Sequence, residues 1–230
     1  MEKAIIYQIF TRLFGNTNTT RKHNGTLTDN GCGKLNAFTP AVLRRIKELG
    51  ATHVWYTGVI RHATTTDYTR YGIPRQHPAV VKGNAGSPYA ITDYYDIDPD
   101  LATNVEKRMN EFESLVKRTH KAGLKMIIDF VPNHVARQYK STAKPKGIAD
   151  FGENDNTGMQ FSPQNNFYYC PEQSFAADID LYHGEELPYE EFPAKATGND
   201  CFGNRPGRND WYETVKLNYG VDYCDAGGVS

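Results

Sequence analysis

The chain has 230 residues, and its 26 Lys and Arg residues nearly balance its 27 Asp and Glu residues, which gives a net charge of -1. A nearly neutral chain has no field to steer a nucleic acid or an anionic membrane, so both partners are disfavoured. A neutral or polar ligand bound at a local site is the default. Tyrosine supplies 15 residues, but composition alone does not distinguish sugar or peptide binding from ordinary packing.

The N-terminal segment predicts a strand and not a targeting sequence. Its apolar run is short, contains Gln8 and leads to no small-residue cleavage site. No stretch of the sequence approaches the length needed to span a membrane. The sequence therefore predicts a cytoplasmic chain, with an exported form as the alternative.

Four widely spaced cysteines include no Cys-x-x-Cys pair, which argues against a zinc site. They are Cys32, Cys170, Cys201 and Cys224. Free thiols in a reducing compartment are the first interpretation. A disulfide among the last three, in an exported form, is the alternative.

The first half of the chain alternates strands and helices. Residues 4–10 are a candidate buried strand, and residues 15–36 are rich in Gly, Asn and Thr and predict a loop. A helix then begins with Thr39 as its cap and Pro40 in its first turn, and Gly50 ends it.

A second strand and a second helix follow. Residues 52–60 predict a strand, and residues 61–90 predict a long connection. Thr103 and Glu106 have the spacing of a capping box. The helix behind them carries one apolar face and ends at Gly123.

The third strand is predicted over residues 125–131, a short apolar run typical of a strand buried on both faces. The resulting element order favours an α/β fold with a parallel sheet, either a barrel or a doubly wound sheet. No Gly-x-Gly-x-x-Gly follows the first strand, so the dinucleotide-binding version is disfavoured.

The character of the sequence changes after residue 135. Residues 136–230 are rich in Gly, Pro and Asn, show no long helical pattern and carry scattered aromatic residues. The aromatic content argues against disorder. The sequence therefore predicts two parts: residues 1–135 with the alternating elements, and residues 136–230 as a loop-rich domain.

The most specific motif lies at the end of the third strand, over Asp129–His134. Asp129, Asn133 and His134 are polar residues that follow an apolar strand. Active sites of parallel α/β sheets lie at that carboxyl edge. A buried Asp129 needs a cation or several donors as partners. Each residue alone has an ordinary structural explanation, but the three together favour a functional site.

Four segments, in this order, resemble the α-amylase superfamily, glycoside hydrolase family 13. Residues 5–10 look like its first barrel strand, and residues 50–55 look like its second. Tyr89 with residues 91–95 resembles the segment before its second helix. Asp129–His134 matches its first conserved region. The resemblance implies a (β/α)8 TIM-barrel fold, represented by the first three strands and an inserted loop-rich domain at 136–230.

The resemblance also implies roles for four residues. Tyr89 would stack on the sugar ring next to the cleaved bond, and His134 would hydrogen-bond hydroxyls of the same sugar. Asp129 would support the site by holding an arginine on the following strand. Asn133 would be a calcium ligand in members that bind calcium; a turn-stabilising asparagine is the alternative.

The catalytic residues of such an enzyme are expected downstream of this chain. A retaining glycosidase needs a nucleophile and an acid/base about 5–5.5 Å apart. No Gly-x-Arg-x-Asp sequence occurs in residues 136–230. The carboxylates Asp178, Asp180, Glu185 and Glu186 are interpreted as solvated. The chain alone is therefore predicted to be inactive and to associate with the rest of the barrel.

The leading hypothesis is thus an α-amylase-family glycosidase that acts on α-linked glucans such as starch or maltooligosaccharides. The alternative is a non-catalytic amylase-fold protein that binds sugar or serves an assembly. A nucleotide- or phosphate-binding α/β domain is the third hypothesis, and the lack of a glycine-rich phosphate loop disfavours it.

Overall fold

A computed structural model describes residues 3–177 and 188–223. Its strands are β1 Ile6–Phe10, β2 His53–Thr57, β3 Ile60–His62, β4 Ile91–Ile97, β5 Lys125–Ile128, β6 His134–Ala136, β7 Tyr169–Cys170, β8 Ala194–Lys195 and β9 Thr214–Lys216. Its α-helices are α1 Leu27–Asn30, α2 Pro40–Glu48 and α3 Arg108–Lys121. Short 3-10 helices cover Leu35–Ala37, Thr69–Tyr71, Pro78–Val80, Pro99–Leu101 and Val105–Lys107.

The three strands predicted from sequence form one parallel sheet in the order β1-β2-β5. The second strand is shorter than predicted, because the chain turns at Gly58 and the prediction of one strand over 52–60 is wrong. Gly58 has a φ of +76°, which is incompatible with a continuous strand. Glycine is required at this position, since an added Cβ would lie 2.9 Å from Pro88 Cβ.

Helices α2 and α3 cover one face of this sheet. Thr39 caps α2 as predicted, accepting a hydrogen bond from the Val42 amide at 3.3 Å. Leu43 of α2 and Leu115 of α3 are fully buried in the same core as the sheet residues Val54 and Tyr56. Burying each such leucine contributes about 1.5–3 kcal/mol, so this core is the main source of stability in the region.

The start of α3 differs from the predicted capping box. Asn104 accepts from the Glu106 amide at 3.0 Å, and a 3-10 turn precedes the helix. The carboxylate that receives the free amides of Thr103 and Asn104 belongs to Glu111, at 2.9 and 2.7 Å. The capping box at Thr103 and Glu106 is therefore wrong, because a longer-range acid competes for the same amides.

Strand β5 is not buried on both faces, so that prediction is also wrong. It is an edge strand of the sheet, and Lys125 and Ile128 are exposed. Apolar side chains are exposed along both edge strands and just beyond them: Ile5, Ile6, Tyr7, Phe10, Ile128 and Phe130. Within the described residues, the sheet has two unpaired edges and little cover on these side chains.

The connection after β2 contains an antiparallel hairpin, β3–β4, that the sequence did not predict. A buried ionic network holds it. Arg61 of β3 lies 3.1 Å from Asp93 and 3.0 Å from Asp96, and Asp96 also pairs with Arg108 of α3 at 2.7 Å. Because Arg61, Asp93 and Asp96 are each under 5% exposed, every partner is needed to offset the loss of hydration.

The same network joins the hairpin to the chain after β6. Arg61 donates to the Lys140 carbonyl at 2.7 Å, and Asp93 accepts from the Ser141 hydroxyl at 2.7 Å and the Thr142 amide at 2.8 Å. The start of the loop-rich region is therefore fixed by side chains that precede it by 48 to 79 residues in the chain.

The loop-rich region pairs β6 with β9 and β7 with β8, both antiparallel. Arg137 is its buried centre. Its guanidinium donates to Glu191 Oε1 at 2.6 Å and to the carbonyls of Tyr212 and Thr214 at 2.7 and 3.2 Å. It also lies 4.2 Å from the centre of the Phe175 ring. The arrangement of these short strands therefore depends on the hydrogen bonds and the ion pair of the Arg137 side chain.

Cys32, Cys170 and Cys201 are free thiols in the described part of the chain. Cys224 lies outside the described residues. Burial raises the pKa of Cys32 to about 11, so this thiol is protonated and unreactive at neutral pH.

Candidate functional site

Three of the residues singled out from the sequence lie where strands end. Asp129 directly follows β5, His134 begins β6, and Tyr89 lies two residues before β4. The carboxyl ends of parallel strands meet at one edge of a sheet, which brings the segment after β5 to the turn after β2. The structure therefore gathers these residues, although they are up to 45 positions apart in the chain.

Asp129 is fixed by two neutral donors from β2 and the turn after it. Its Oδ1 accepts from Trp55 Nε1 at 2.6 Å, and its Oδ2 accepts from the Gly58 amide at 2.8 Å. Both donors hold the carboxylate in one orientation without neutralising its charge. Burial, and after it the negative charge of Asp129, raises the pKa of the Tyr89 phenol. An arginine partner from a following strand stays a prediction.

His134 is only 5% exposed, and its Nδ1 makes no hydrogen bond. The ring packs edge to face on Trp211, with centres 5.2 Å apart. Burial lowers the pKa of His134, and the positive charge of Lys216 lowers it further, against a hydrogen bond to the Tyr89 backbone. A neutral imidazole has one donor and one acceptor nitrogen, so it can hydrogen-bond a ligand hydroxyl in either direction.

The loop-rich region approaches His134 closely through Gly198. A Cβ on Gly198 would lie 2.8 Å from His134 Cβ and 2.5 Å from Thr214 Oγ1. A larger residue would therefore displace the imidazole or β9. The position of His134 depends on both parts of the chain.

Tyr89 and His134 line one recess of about 200 Å³ together with five further residues. We call it the recess; the other residues that line it are Lys82, Ser87, Trp211, Glu213 and Thr214. Tyr89 is 39% exposed and Trp211 is 40% exposed, so both present aromatic surface to solvent. The recess combines aromatic surface with buried polar groups, as ligand sites usually do.

Lys82 and Glu213 form an ion pair in the wall of the recess. Lys82 Nζ lies 3.2 Å from Glu213 Oε2. Glu213 is only 4% exposed, and this oxygen makes no directional hydrogen bond. The Glu213 backbone carbonyl accepts from the Arg137 amide at 2.9 Å, which fixes the residue against β6.

The model of the family "Alpha amylase, catalytic domain" matches residues 8–188 of the chain. The chain belongs to the α-amylase family. This match begins within β1, covers β2 to β7 and includes Tyr89, Asp129, Asn133 and His134.

Individual members of the α-amylase family are moderately similar to the chain. Trehalose-6-phosphate hydrolase of Bacillus subtilis is 32% identical over 139 residues, which are 60% of this chain and 18% of that protein. Maltase A2 of Drosophila melanogaster is 28% identical over 174 residues, covering 71% and 24%. An α-amylase structure from Lactobacillus plantarum is 28% identical, covers 60% and 24%, and has a TM-score of 0.41. The chain thus spans about a fifth of the length of these curated relatives.

Family members need two catalytic carboxyl groups, and the recess does not present them. Among the described residues that line it, Glu213 is the one carboxylate, and it is paired with Lys82. Asp129, near Tyr89, is held by two donors. Asp178, Asp180, Glu185 and Glu186 lie outside the described residues.

Asn133, the predicted calcium ligand of the family, is exposed, and its backbone carbonyl accepts from the Leu217 amide at 3.1 Å. Calcium takes about six to eight oxygen ligands. The described part of the chain contains no group of three or more His, Cys, Asp or Glu side chains that could hold a metal. Calcium binding at Asn133 therefore stays a prediction.

Sequence reasoning missed Lys82, Trp211 and Glu213. Residues 214–219 faintly resemble the family's fifth conserved region but without its acidic residue. The structure shows that Glu213, one position earlier, supplies an acid at the recess. Trp211 is one of two tryptophans in the chain, a signal that could have been used. Lys82 carried no signal.

In the described residues no helix combines the length and apolar character required to cross a lipid bilayer.

Proposed function

We propose that the chain is the N-terminal part of an α-amylase-family glycoside hydrolase that acts on α-linked glucans by a retaining mechanism. The observation that carries the proposal is the recess, where Tyr89 and His134 line one cavity with Trp211. Family membership and a relative named as a maltase support the reaction class. The nucleophile and the acid/base would be supplied by residues beyond those described.

In this proposal each residue has a physical task. The phenol face of Tyr89 stacks on the C–H face of a sugar ring. The imidazole of His134, which lines the recess, hydrogen-bonds a ring hydroxyl, and such bonds strengthen as the ring flattens towards the transition state. Asp129, oriented by Trp55 and Gly58, supports the neighbouring catalytic residue through an arginine.

The sheet would be part of a (β/α)8 barrel, with domain A at residues 1–135 and the inserted domain B at residues 136–230. The unpaired edges of β1 and β5 and the exposed apolar side chains beside them support this proposal. In a closed barrel, strands have no free edge and interior side chains are covered. Further barrel strands are therefore the proposed partner of this sheet. A cytoplasmic location remains part of the proposal.

The first test is binding of maltotriose to the 230-residue chain, followed by calorimetry or ligand-observed NMR. Tyr89→Ala is expected to weaken binding about tenfold, since stacking of one ring contributes about 1–1.5 kcal/mol. Tyr95→Ala is the matched control, because Tyr95 is similarly exposed at 44% but lines another surface. Equal losses in both variants would contradict the assignment of the recess.

The second test is reducing-sugar release from soluble starch. We expect none from this chain, because the recess lacks a carboxylate pair. Release that a carboxylate substitution abolishes would contradict the placement of the catalytic residues outside the chain. Sugar binding without turnover in a protein that also contains the later barrel strands would favour the non-catalytic alternative.

A further inference from the structure

Family membership does not determine the charge of the sugar that the recess accepts. The relatives include a hydrolase named for a phosphorylated disaccharide and a maltase named for a neutral one. Lys82 lies in the loop before β4, and Glu213 lies in the insert, residues 136–177 and 188–223. These two charged lining residues decide the electrostatics of the recess.

A phosphate group requires cations or amide donors that are free to bind it. Proteins supply them as bidentate arginines, clustered lysines or helix N-termini. Among the described residues that line the recess, Lys82 is the one cation. Its ammonium is 3.2 Å from Glu213 Oε2, so its charge is already balanced.

The positive charge of Lys216, near the recess, is balanced as well. Lys216 acts electrostatically on His134, and its ammonium is paired with Asp200. Glu213 remains as a buried carboxylate in the wall, and a carboxylate repels a phosphate across a poorly hydrated cavity. The recess therefore offers a net charge near zero with one repulsive group for an anion.

A neutral sugar meets favourable partners on every side of the same recess. A carboxylate accepts hydrogen bonds from hydroxyls, an ammonium donates to their oxygens, and the neutral imidazole of His134 can do either. Trp211 adds an exposed indole whose backbone is fixed, since its carbonyl accepts from the Thr214 amide at 2.8 Å. A cavity of about 200 Å³ is below the ~300–1,000 Å³ typical of larger ligands, which suits a single sugar ring.

We infer that Trp211 and the Lys82–Glu213 pair form the insert-side half of a one-ring sugar site, and that this pair selects uncharged sugars against sugar phosphates. The inference rests on the proposed function, because it assigns specificity to the same recess. Glu213 is a specificity-determining residue and not a catalytic one.

The test compares glucose with glucose 6-phosphate on the full 230-residue chain by ligand-observed NMR. The wild type is expected to bind glucose at least about tenfold more tightly than the phosphate. Glu213→Gln frees the charge of Lys82 and is expected to reduce this ratio at least about tenfold through tighter phosphate binding. Glu153→Gln makes the same change in an exposed ion pair outside the recess and is expected to leave the ratio unchanged.

Because Glu213 is buried, two further variants keep the test independent of its folding. Lys82→Gln leaves the Glu213 carboxylate without its counter-charge, so it is expected to weaken phosphate binding and to raise the ratio of glucose to phosphate affinity. Trp211→Phe is expected to weaken glucose binding, and it leaves Trp55 as the remaining tryptophan, whose fluorescence reports an intact Asp129 contact.

The outcomes separate the two proposals. Equal binding of glucose and glucose 6-phosphate by the wild type, or an unchanged ratio in a folded Glu213→Gln variant, would overturn the selectivity and leave the sugar site standing. A wild type that binds glucose, its phosphate and maltotriose equally poorly would overturn both.

Discussion

The sheet region, residues 3–128, buries aliphatic side chains of α2 and α3 against strands, whereas the insert, residues 136–177 and 188–223, is organised around a buried guanidinium. In the first region, neighbouring residues along a helix face supply the contacts, as with Leu43 and Ile46. In the insert, Arg137 bonds to groups 54 to 77 residues away. Local sequence patterns therefore predict the contacts of the first region but not those of the second.

The largest expected effect breaks the insert. Arg137→Met removes the donors of three carbonyls and leaves Glu191, 7% exposed at its side chain, without its closest partner. Removing one member of a buried ion pair costs about 3–5 kcal/mol. Urea unfolding measures this loss, and Arg208→Met, an exposed position, is the control. A loss no larger than that of the control would contradict the central role of Arg137.

The next effect lies in the sheet region. Leu43→Ala creates a cavity in a fully buried core position and is expected to cost about 2–5 kcal/mol. Leu49→Ala, 71% exposed just after the same helix, should cost almost nothing. Hydrogen exchange sharpens the comparison: if Leu43→Ala and Arg137→Met each weaken protection throughout the chain equally, then the two regions unfold as one unit.

A smaller effect is expected at the turn after β2, within the sheet region. Gly58→Ala places a Cβ 2.9 Å from Pro88 at a φ of +76°, and such backbone strain costs about 1–3 kcal/mol. Gly72→Ala has nearly the same φ, +73°, with no atom within 4 Å of the new Cβ. The difference between the variants measures the steric part. Maltotriose binding should fall only in Gly58→Ala, because Gly58 also donates to Asp129 and borders the Tyr89 loop.

The smallest expected effect is a pH dependence of the hairpin. His62 Nδ1 lies 2.9 Å from Asp98. Burial and the charge of Arg12 lower the pKa of His62, but Asp98 outweighs them and raises it above 6.5. Its stabilisation is therefore complete below about pH 6.5 and is lost as the pH rises through the raised value.

The measurement is the unfolding free energy between about pH 6 and pH 9, where the wild type should lose stability as pH rises. His62→Gln should remove this component of the slope, and His23→Gln, at an exposed position, should retain it. At the acid end, the pKa of Asp98 is lowered despite its burial, chiefly by the charge of His62. The same pair therefore also weakens as the pH falls through that lowered value.

These contrasts explain what the sequence could predict. The cap at Thr39, the end of α2 near Gly50 and the parallel strand order follow from signals within a few residues of each element, and the structure confirms them. The capping box at Thr103 is wrong because Glu111, a full turn further on, binds the same amides. Strand β4 was missed because its Asp93 and Asp96 are polar, and their burial depends on partners far away in the chain, such as Arg61, over 30 residues earlier.

The candidate site also contains residues that the sequence predicted and residues that it did not. Tyr89, Asp129 and His134 lie at strand ends, where their positions follow from the parallel order, and the structure brings them together. Their roles with a sugar, and calcium binding at Asn133, stay predictions. Lys82 and Glu213 meet across 131 positions in the chain. No periodicity records such a pairing, because it depends on how the insert folds back.

The bonds from Arg61 to residues 140–142 also set an order of events during synthesis. The Lys140 carbonyl follows Arg61 by 79 residues, which a ribosome adds in roughly 4–16 seconds at about 5–20 residues per second. In the later part of that interval, once Asp93 and Asp96 have been added, Arg61 still lacks the Lys140 carbonyl and the Thr142 hydroxyl that accept from it. The Arg61 side chain in the hairpin therefore stays partly hydrated until residues 140–142 are added and replace water as its hydrogen-bond acceptors.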